Sequence, residues 1–280
     1  MAKIAFQGAL GAYSHQACIE ACPEYEPLPC ATFEGAFEAV RSGEAALAMI
    51  PVENSTYGRV ADVHQLLPSS GMHILSEHFV RVNISLLGKR GATLDQITRA
   101  TSHTVLLGQC RSFLQKHGIE RVTGYDTAGS AKMVRDGDDP TLGALASPLA
   151  AEIYGLDTLA EQIEDASNNT TRFLVMSPTP AAERPGPDAQ MLTSFVFRVR
   201  NLPAALYKAM GGFATNGVNM VKLESYMVGG SFTATQFYAD IEGHPDDPSV
   251  ARALEELDYF TSYLHILGVY PADPFRSEQP

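Results

Sequence analysis

The sequence predicts an α/β protein: a first region with mainly parallel sheets, then a βαββαβ ferredoxin-like unit. Three observations carry this. Up to Met176, short apolar runs alternate with polar loops and helix-period stretches. Ser177–Pro187 then holds four prolines, a composition break that reads as a linker. Beyond it Met191–Arg200 alternates, with Phe195, Phe197 and Val199 on one face and Arg198 and Arg200 on the other.

Lys3–Gln7 predicts the first strand, and Ser14 a cap for a helix ending near Pro23. Thr32 caps the next helix, where Phe33, Phe37 and Val40 share a face and Gly43 is the stop. Ala46–Ile50 is a continuous apolar run, as in buried parallel strands. Pro51–Gly58 reads as a loop before a helix carrying Val60, Val63, Leu66 and Leu67. Val80–Leu87 is strand-like, and Ala100–Thr101 ends another short segment. Ser102–Gln109 opens a helix that ends near Gly118. Arg121–Tyr125 predicts a strand, and Asp126–Ser130 opens the next helix. Ala144–Ala146 precedes Ser147-Pro148, a cap with proline at the first helical position; Gly155 ends that helix, and Arg172–Met176 is the region's last strand. In the final unit, Pro203–Asn216 is helical, and Val218–Val228 with Phe232–Ile241 form a hairpin around Gly229-Gly230. Asp247–Phe260 is a helix with Val250, Ala253, Leu254 and Leu257 on one stripe, and Tyr263–Tyr270 is the last strand.

Composition narrows the function. Thirty-two acidic against 20 basic residues give a net charge of −12, which disfavours nucleic acid and anionic lipid as partners. No apolar run is long enough to span a membrane, and the N-terminus lacks a signal-peptide core, so the cytosol is the expected location. The four cysteines (Cys18, Cys22, Cys30, Cys110) fit no paired zinc spacing and read as reduced and structural. Histidines 64, 73, 78, 103 and 117 are scattered without a ligand pattern. Gly8-Ala9-Leu10-Gly11 is not a dinucleotide fingerprint, and no phosphate-binding GxxxxGK[ST] occurs. Neither a cofactor nor a metal is expected.

Small polar residues gather at four strand-to-helix junctions: Gly8–Ser14, Asn54–Gly58, Ser102–Gln109 and Asp126–Ser130. Such junctions favour anionic groups through free backbone N–H donors. Plain helix capping uses the same residues, so both readings stand. Two segments are richer. Pro51-Val52-Glu53-Asn54-Ser55 combines a carboxylate, an amide and a hydroxyl, and Asn168-Asn169-Thr170-Thr171-Arg172-Phe173 combines hydroxyls with a guanidinium. Arg172 can hold a carboxylate through two parallel hydrogen bonds, or form an ordinary ion pair.

At these residues the chain resembles the prephenate dehydratase family along essentially its whole length. The matching segments are FQGALGAYSHQA (6–17), IPVENSTYGRV (50–60), SHTVLLGQC (102–110), YDTAGSA (125–131), IYGL (153–156) and NNTTRFLV (168–175). NLPAALYKAMGGFATNGVNMVKLES (201–225) is similar to the ACT domain often fused to these enzymes. The resemblance implies a two-lobed fold like type II periplasmic binding proteins, with the site between the lobes. It implies conversion of prephenate to phenylpyruvate, water and carbon dioxide without a cofactor. It assigns the catalytic threonine to Thr171, beside Arg172 and Phe173, with Glu53 or a water as proton source. It places Asn54, Ser102, Gln109 and Asp126 around the substrate, with Gly11, Ser14, Ser55 and Thr170 as further candidate contacts. The family's usual acidic residue at the position of Asp126 is longer.

The implied layout is a catalytic region 1–177, with lobe one about 1–78 plus 170–177 and lobe two about 79–169. A linker 178–189, an ACT unit 190–272 and a tail 273–280 follow. The ACT resemblance implies a homodimer or homotetramer with L-phenylalanine as effector, held by Asn201, Ala205, Leu206, Gly217, Val218, Asn219, Glu224 and Ser225. Two departures bear on that control: Glu224-Ser225-Tyr226-Met227 where Glu-Ser-Arg-Pro is common, and Pro203-Ala204-Ala205-Leu206 at the helix start. Arogenate dehydratase and a catalytically silent two-lobed sensor are the competing readings.

Overall fold

A computed structural model of the chain describes residues 1–124, 126–181, 184–186, 189–227 and 234–278. In chain order the elements are β1 (Lys3–Gln7), α1 (Tyr13–Ala21), β2 (Glu26–Cys30), α2 (Phe33–Arg41), β3 (Leu47–Asn54), β4 (Gly58–Arg59), α3 (Ala61–Leu66), β5 (His73–Arg81) and β6 (Ser85–Gly88). There follow β7 (Arg99–Ser102), α4 (Thr104–Gln109), α5 (Arg111–Lys116), β8 (Glu120–Thr123), α6 (Thr127–Asp136), β9 (Leu142–Ala146), α7 (Pro148–Tyr154), β10 (Asp157–Ala160) and β11 (Thr170–Ser177). The last are β12 (Met191–Val199), α8 (Ala205–Thr215), β13 (Met220–Met227), β14 (Ala234–Glu242), α9 (Pro248–Phe260) and β15 (Thr261–Pro271). Two compact units result: Met1–Val60 with His78–Phe173, and Ala61–Glu77 with Leu174–Pro280.

The first unit has two lobes, each built on its own sheet. In one, β1 lies between β2 and β3 and is parallel to both, with β11 next to β3. Ile4, Phe6, Met49 and Ile50 are fully buried there, each worth about 1.5–3 kcal/mol relative to exposure. The other lobe has the order β10-β6-β9-β7-β8. Its β7 is parallel to β8 and β9, while β6 alone is reversed and pairs antiparallel with both β9 and β10, so the sheet is mixed.

The predicted caps hold at three helices, because each rests on one local side-chain bond. Thr32 Oγ1 accepts from Gly35 N at 3.0 Å, Ser147 Oγ accepts from Ala150 N at 3.1 Å, and Asp126 accepts from Gly129 N. Other expectations need correction. Ser14 lies inside α1, whose first flanking residue is Ala12, so it caps nothing. β2 was not predicted, because Pro27 and Pro29 argue against a strand; at the end of the sheet they are tolerated. Pro51–Asn54 continue β3 rather than forming a loop. Val80–Leu87 divides between β5 and β6, and the helix after Ser102 breaks at Cys110 into α4 and α5. Tyr125 and the turn at Gly229-Gly230 lie outside the described residues.

In the second unit β12-α8-β13-β14-α9-β15 follows the predicted order, with the sheet arranged β13-β14-β12-β15. That is the ferredoxin-like arrangement. β14 pairs antiparallel with β13 and β12, and β12 with β15, with Phe197 opposite Phe237 and Phe195 opposite Ala239. Helices α8 and α9 cover this face, so Phe195, Phe197, Phe213, Phe237, Ala253 and Leu257 form one core. The helices approach closely at Gly212, where an added Cβ would lie 2.8 Å from Glu256 Cβ. Residues 61–77 also belong to this unit, although the sequence reading put them with lobe one. His64 of α3 meets Tyr238 edge-on at 5.0 Å, and Gly268 of β15 pairs with Ile74. The expected tail is docked: Arg276 holds the fully buried Glu77 side chain through bonds of 2.6 and 2.8 Å.

Candidate active site

The centre of the site is the junction of β3 with β11. Asn54 Oδ1 accepts from the backbone N–H groups of Thr56 (2.9 Å) and Tyr57 (3.0 Å). Two donors on one oxygen set the orientation of the amide. Its Nδ2 therefore faces Asn169 Oδ1 at 2.6 Å and Thr171 Oγ1 at 3.0 Å. Ser55 ties the same turn to β11: its hydroxyl donates to Asn168 O (2.7 Å) and accepts from Thr170 N (3.0 Å), and its N–H donates to Thr170 O (2.8 Å).

Thr171 and Phe173 line a cleft of about 390 Å³ between the two lobes of the first unit. Gln7, Ala12, Tyr13 and Ser14 line it from one lobe; His103, Asp126 and Thr127 line it from the other. No lysine or arginine is among the described residues that line it. Gly11 supports the entry to α1. Its φ of +89° suits glycine, and a Cβ there would sit 2.9 Å from Ala150 Cα. Ser147 Oγ donates to Gly11 O at 2.6 Å, which joins the lobes at this turn. Gly11 N in turn donates to His15 Nδ1 at 3.0 Å, and burial lowers the His15 pKa. Burial also pushes the Tyr13 phenol far up, so it serves as a neutral donor to Asn83 O at 2.8 Å.

Successive strand residues face opposite sides. Thr171 and Phe173 face the cleft, so Arg172 does not. Arg172 is 1% exposed, and its Nη1 donates to Glu53 Oε1 at 2.9 Å. Neither residue lines the cleft. Ser102 is fully buried and donates to Leu145 O at 2.8 Å; Gln109 is buried and also does not line the cleft. The sequence thus brings Thr171, Phe173, Asp126 and Ser14 to the cleft wall. Asn54, Ser55 and Thr170 stand just behind Thr171, and Glu53, Arg172, Ser102 and Gln109 belong to the supporting layers. The sequence reading missed Asn169, Tyr13 and His103. Asn169 lies inside the quoted motif, but its part in the site is recognisable only through its bond to Asn54, 115 positions away.

All four cysteines are free thiols, and burial raises the pKa of Cys22 to about 11 and of Cys18 and Cys110 further. In the second unit, Asn201, Ala205 and Leu206 sit at the start of α8, and Gly217, Val218 and Asn219 follow its end. Glu224 and Ser225 lie on β13, with Glu224 Oε1 3.4 Å from Lys222 Nζ. An 11-residue helix is roughly 16 Å long, so one chain keeps the two α8 groups apart. No helix among the described residues is long and apolar enough to cross a membrane.

Comparison with known proteins fits this geometry. Residues 4–181 match the family described as prephenate dehydratase. A bifunctional N-acyl-homoserine lactone acylase/prephenate dehydratase of Komagataeibacter europaeus is 52% identical over 273 residues, covering 98% of this chain and 97% of the relative. The chloroplastic arogenate dehydratase/prephenate dehydratase 1 of Arabidopsis thaliana is 38% identical over 98% of this chain and 73% of its own length. Among solved structures, a quorum-quenching acylase superposes with a TM-score of 0.91 at 52% identity, covering 98% of this chain and 99% of the other. The Arthrobacter aurescens prephenate dehydratase, solved with L-Phe, gives 0.88 at 31% identity, covering 99% and 91%. With a match across 178 consecutive positions and relatives aligned from end to end, this two-lobed chain belongs to the prephenate dehydratase family.

Proposed function

We propose that the cleft converts prephenate to phenylpyruvate, as a carbon–oxygen lyase of L-phenylalanine synthesis acting in the cytosol. The observation that carries this is the Asn54–Thr171 contact. Asn54 donates to Thr171 Oγ1, which leaves the threonine proton for another acceptor. In the reaction, the bond to the ring carboxylate breaks and carbon dioxide departs. Its electrons enter the ring, and the ring C–O bond breaks. The leaving oxygen takes up a proton to depart as water, and Thr171 supplies the hydrogen bond or proton it needs. Aromatisation drives the step, so redox or metal chemistry is not required. Buried Arg172 and partly exposed Glu53 act as an ion pair that holds β11 against β3, and through it Thr171, rather than as substrate contacts. The test is release of phenylpyruvate from prephenate by the purified protein. Activity that disappears on chelation and returns with metal overturns the cofactor-free reading.

The domain reading is a catalytic region through about 177, a linker to 189 and an ACT unit over 190–272 that binds L-phenylalanine. Because one chain holds the starting and ending residues of α8 apart, that reading entails a homodimer or homotetramer in which a second chain completes the effector site. Since Ala61–Glu77 belongs to the second unit, a chain cut near Ser177 would strand this segment. Calorimetry with L-phenylalanine therefore uses the full chain, wild type against Asn219→Ala. Equal binding by both places the effector elsewhere.

A second reading, arogenate as substrate, is favoured by the Arabidopsis relative's dual name and by a carboxylate in the cleft. Amide hydrolysis of an N-acyl-homoserine lactone is a third, favoured by the relative of 52% identity. Assay of the free amine released from such a lactone tests it.

A further inference from the structure

The cleft is electrostatically lopsided. Asp126 is the one carboxylate among its described lining residues, and no lysine or arginine lines it. The other ionisable groups there are His103, whose Nδ1 accepts from Val105 N at 3.3 Å, and Tyr13, which stays neutral. Asp126 already accepts from Gly129 N through Oδ1, and no described residue donates to its Oδ2. Its charge offsets the partial positive end of α6. The nine-residue α1, by contrast, is preceded by Ala12, which gives it no side-chain cap, and Ala12, Tyr13 and Ser14 line the same cleft. The cleft is therefore lined both by the N-terminal turn of α1, with its backbone N–H groups, and by a carboxylate that can meet a cation. Lys132 is a candidate to cancel that charge. It lines the adjoining cleft that shares Asp126, but its ammonium is engaged by Asp136 at 2.8 Å.

We propose that Asp126 sets the preference between substrates that carry an ammonium group on the side chain and those that carry an oxo group, and that it favours the ammonium. The inference rests on the reading that this cleft takes prephenate or arogenate. These two share a ring alcohol and two carboxylates and differ in the oxo or amino group. A carboxylate accepts a charge-assisted hydrogen bond from an ammonium, whereas an oxo oxygen only accepts and is repelled.

Asp126→Asn separates charge from structure, since asparagine caps a helix about as well as aspartate. Calorimetric binding and turnover are measured for arogenate and prephenate on wild type and Asp126→Asn. Loss of a charge-assisted bond corresponds to roughly 10- to 100-fold. The expected result is a fall of that size in arogenate affinity and kcat/KM relative to prephenate in Asp126→Asn. A ratio unchanged by Asp126→Asn overturns the inference, as does wild-type protein that binds neither compound. Binding with the predicted ratio but without turnover sinks the dehydratase reading and leaves the recognition rule intact.

Discussion

Asn54 Nδ2 lies 3.0 Å from Thr171 Oγ1 and 2.6 Å from Asn169 Oδ1, and both contacts depend on the Thr56 and Tyr57 N–H groups that hold Asn54 Oδ1. A threonine oxygen held as an acceptor is a poised donor. Thr171→Ala should lower kcat by roughly 10²-fold or more while KM changes less, and Thr171→Ser should retain more activity. Asn54→Asp reverses the amide's donor role and should also depress kcat. Steady-state kinetics on prephenate, following phenylpyruvate, decide this; a Thr171→Ala enzyme at the wild-type rate ends the assignment.

The Arg172–Glu53 pair predicts a stability effect alongside an activity effect. Arg172 is buried while Glu53 stays partly exposed, so removing the guanidinium costs Glu53 one charge-assisted hydrogen bond, about 1.5–3 kcal/mol. Arg172→Met should lose stability of that order in denaturant titrations. Arg172→Lys should also weaken the protein, because an ammonium cannot reproduce the planar guanidinium geometry. Full stability with Arg172→Met would show that the pair is dispensable.

His15 makes stability depend on pH. Burial lowers its pKa in the folded state, and Nδ1 accepts from Gly11 N, which favours the neutral ring. Unfolded chains protonate this residue near the ordinary value of 6.5. Below about 6.5 the unfolded state binds the extra proton first, so this contribution is present at higher pH and is lost as pH falls. Urea midpoints measured from neutral to acidic pH should drop, and His15→Gln should flatten the slope. A slope identical in both proteins assigns the acid sensitivity to other groups.

Ala204 holds φ of +60°, a left-handed conformation, at the entry to α8. Residues with a Cβ reach that region at a cost of about 1–2 kcal/mol, which glycine avoids. Ala204→Gly should raise stability by about 1 kcal/mol, read as a higher denaturation midpoint with an unchanged slope. A fall in stability would mean that the entropy of the unfolded glycine chain outweighs the relieved strain.

Much of the site was legible because it depends on short-range chemistry. Thr32, Asp126 and Ser147 announce helix starts by capping donors within three residues, and Lys3–Gln7 and Ala46–Ile50 announce strands by composition. Where reading failed, competing effects decided. The prolines of β2 are acceptable only at a sheet's end, and Ser14 yields the cap position to a turn made by Gly11.

The residues alone established the α/β class, the βαββαβ order of the second unit and the family resemblance, and singled out the 168–173 motif. Tertiary structure decided which way the motif's side chains face. Alternation on β11 sends Thr171 to the cleft and Arg172 to Glu53, and the depth of each lobe's core withdraws Ser102 and Gln109 from the wall. It also joined Asn54 to Asn169 and moved residues 61–77 to the second unit. Periodicity along a chain specifies faces, but the partner each face meets lies more than a hundred residues away, and only packing of the whole chain selects it.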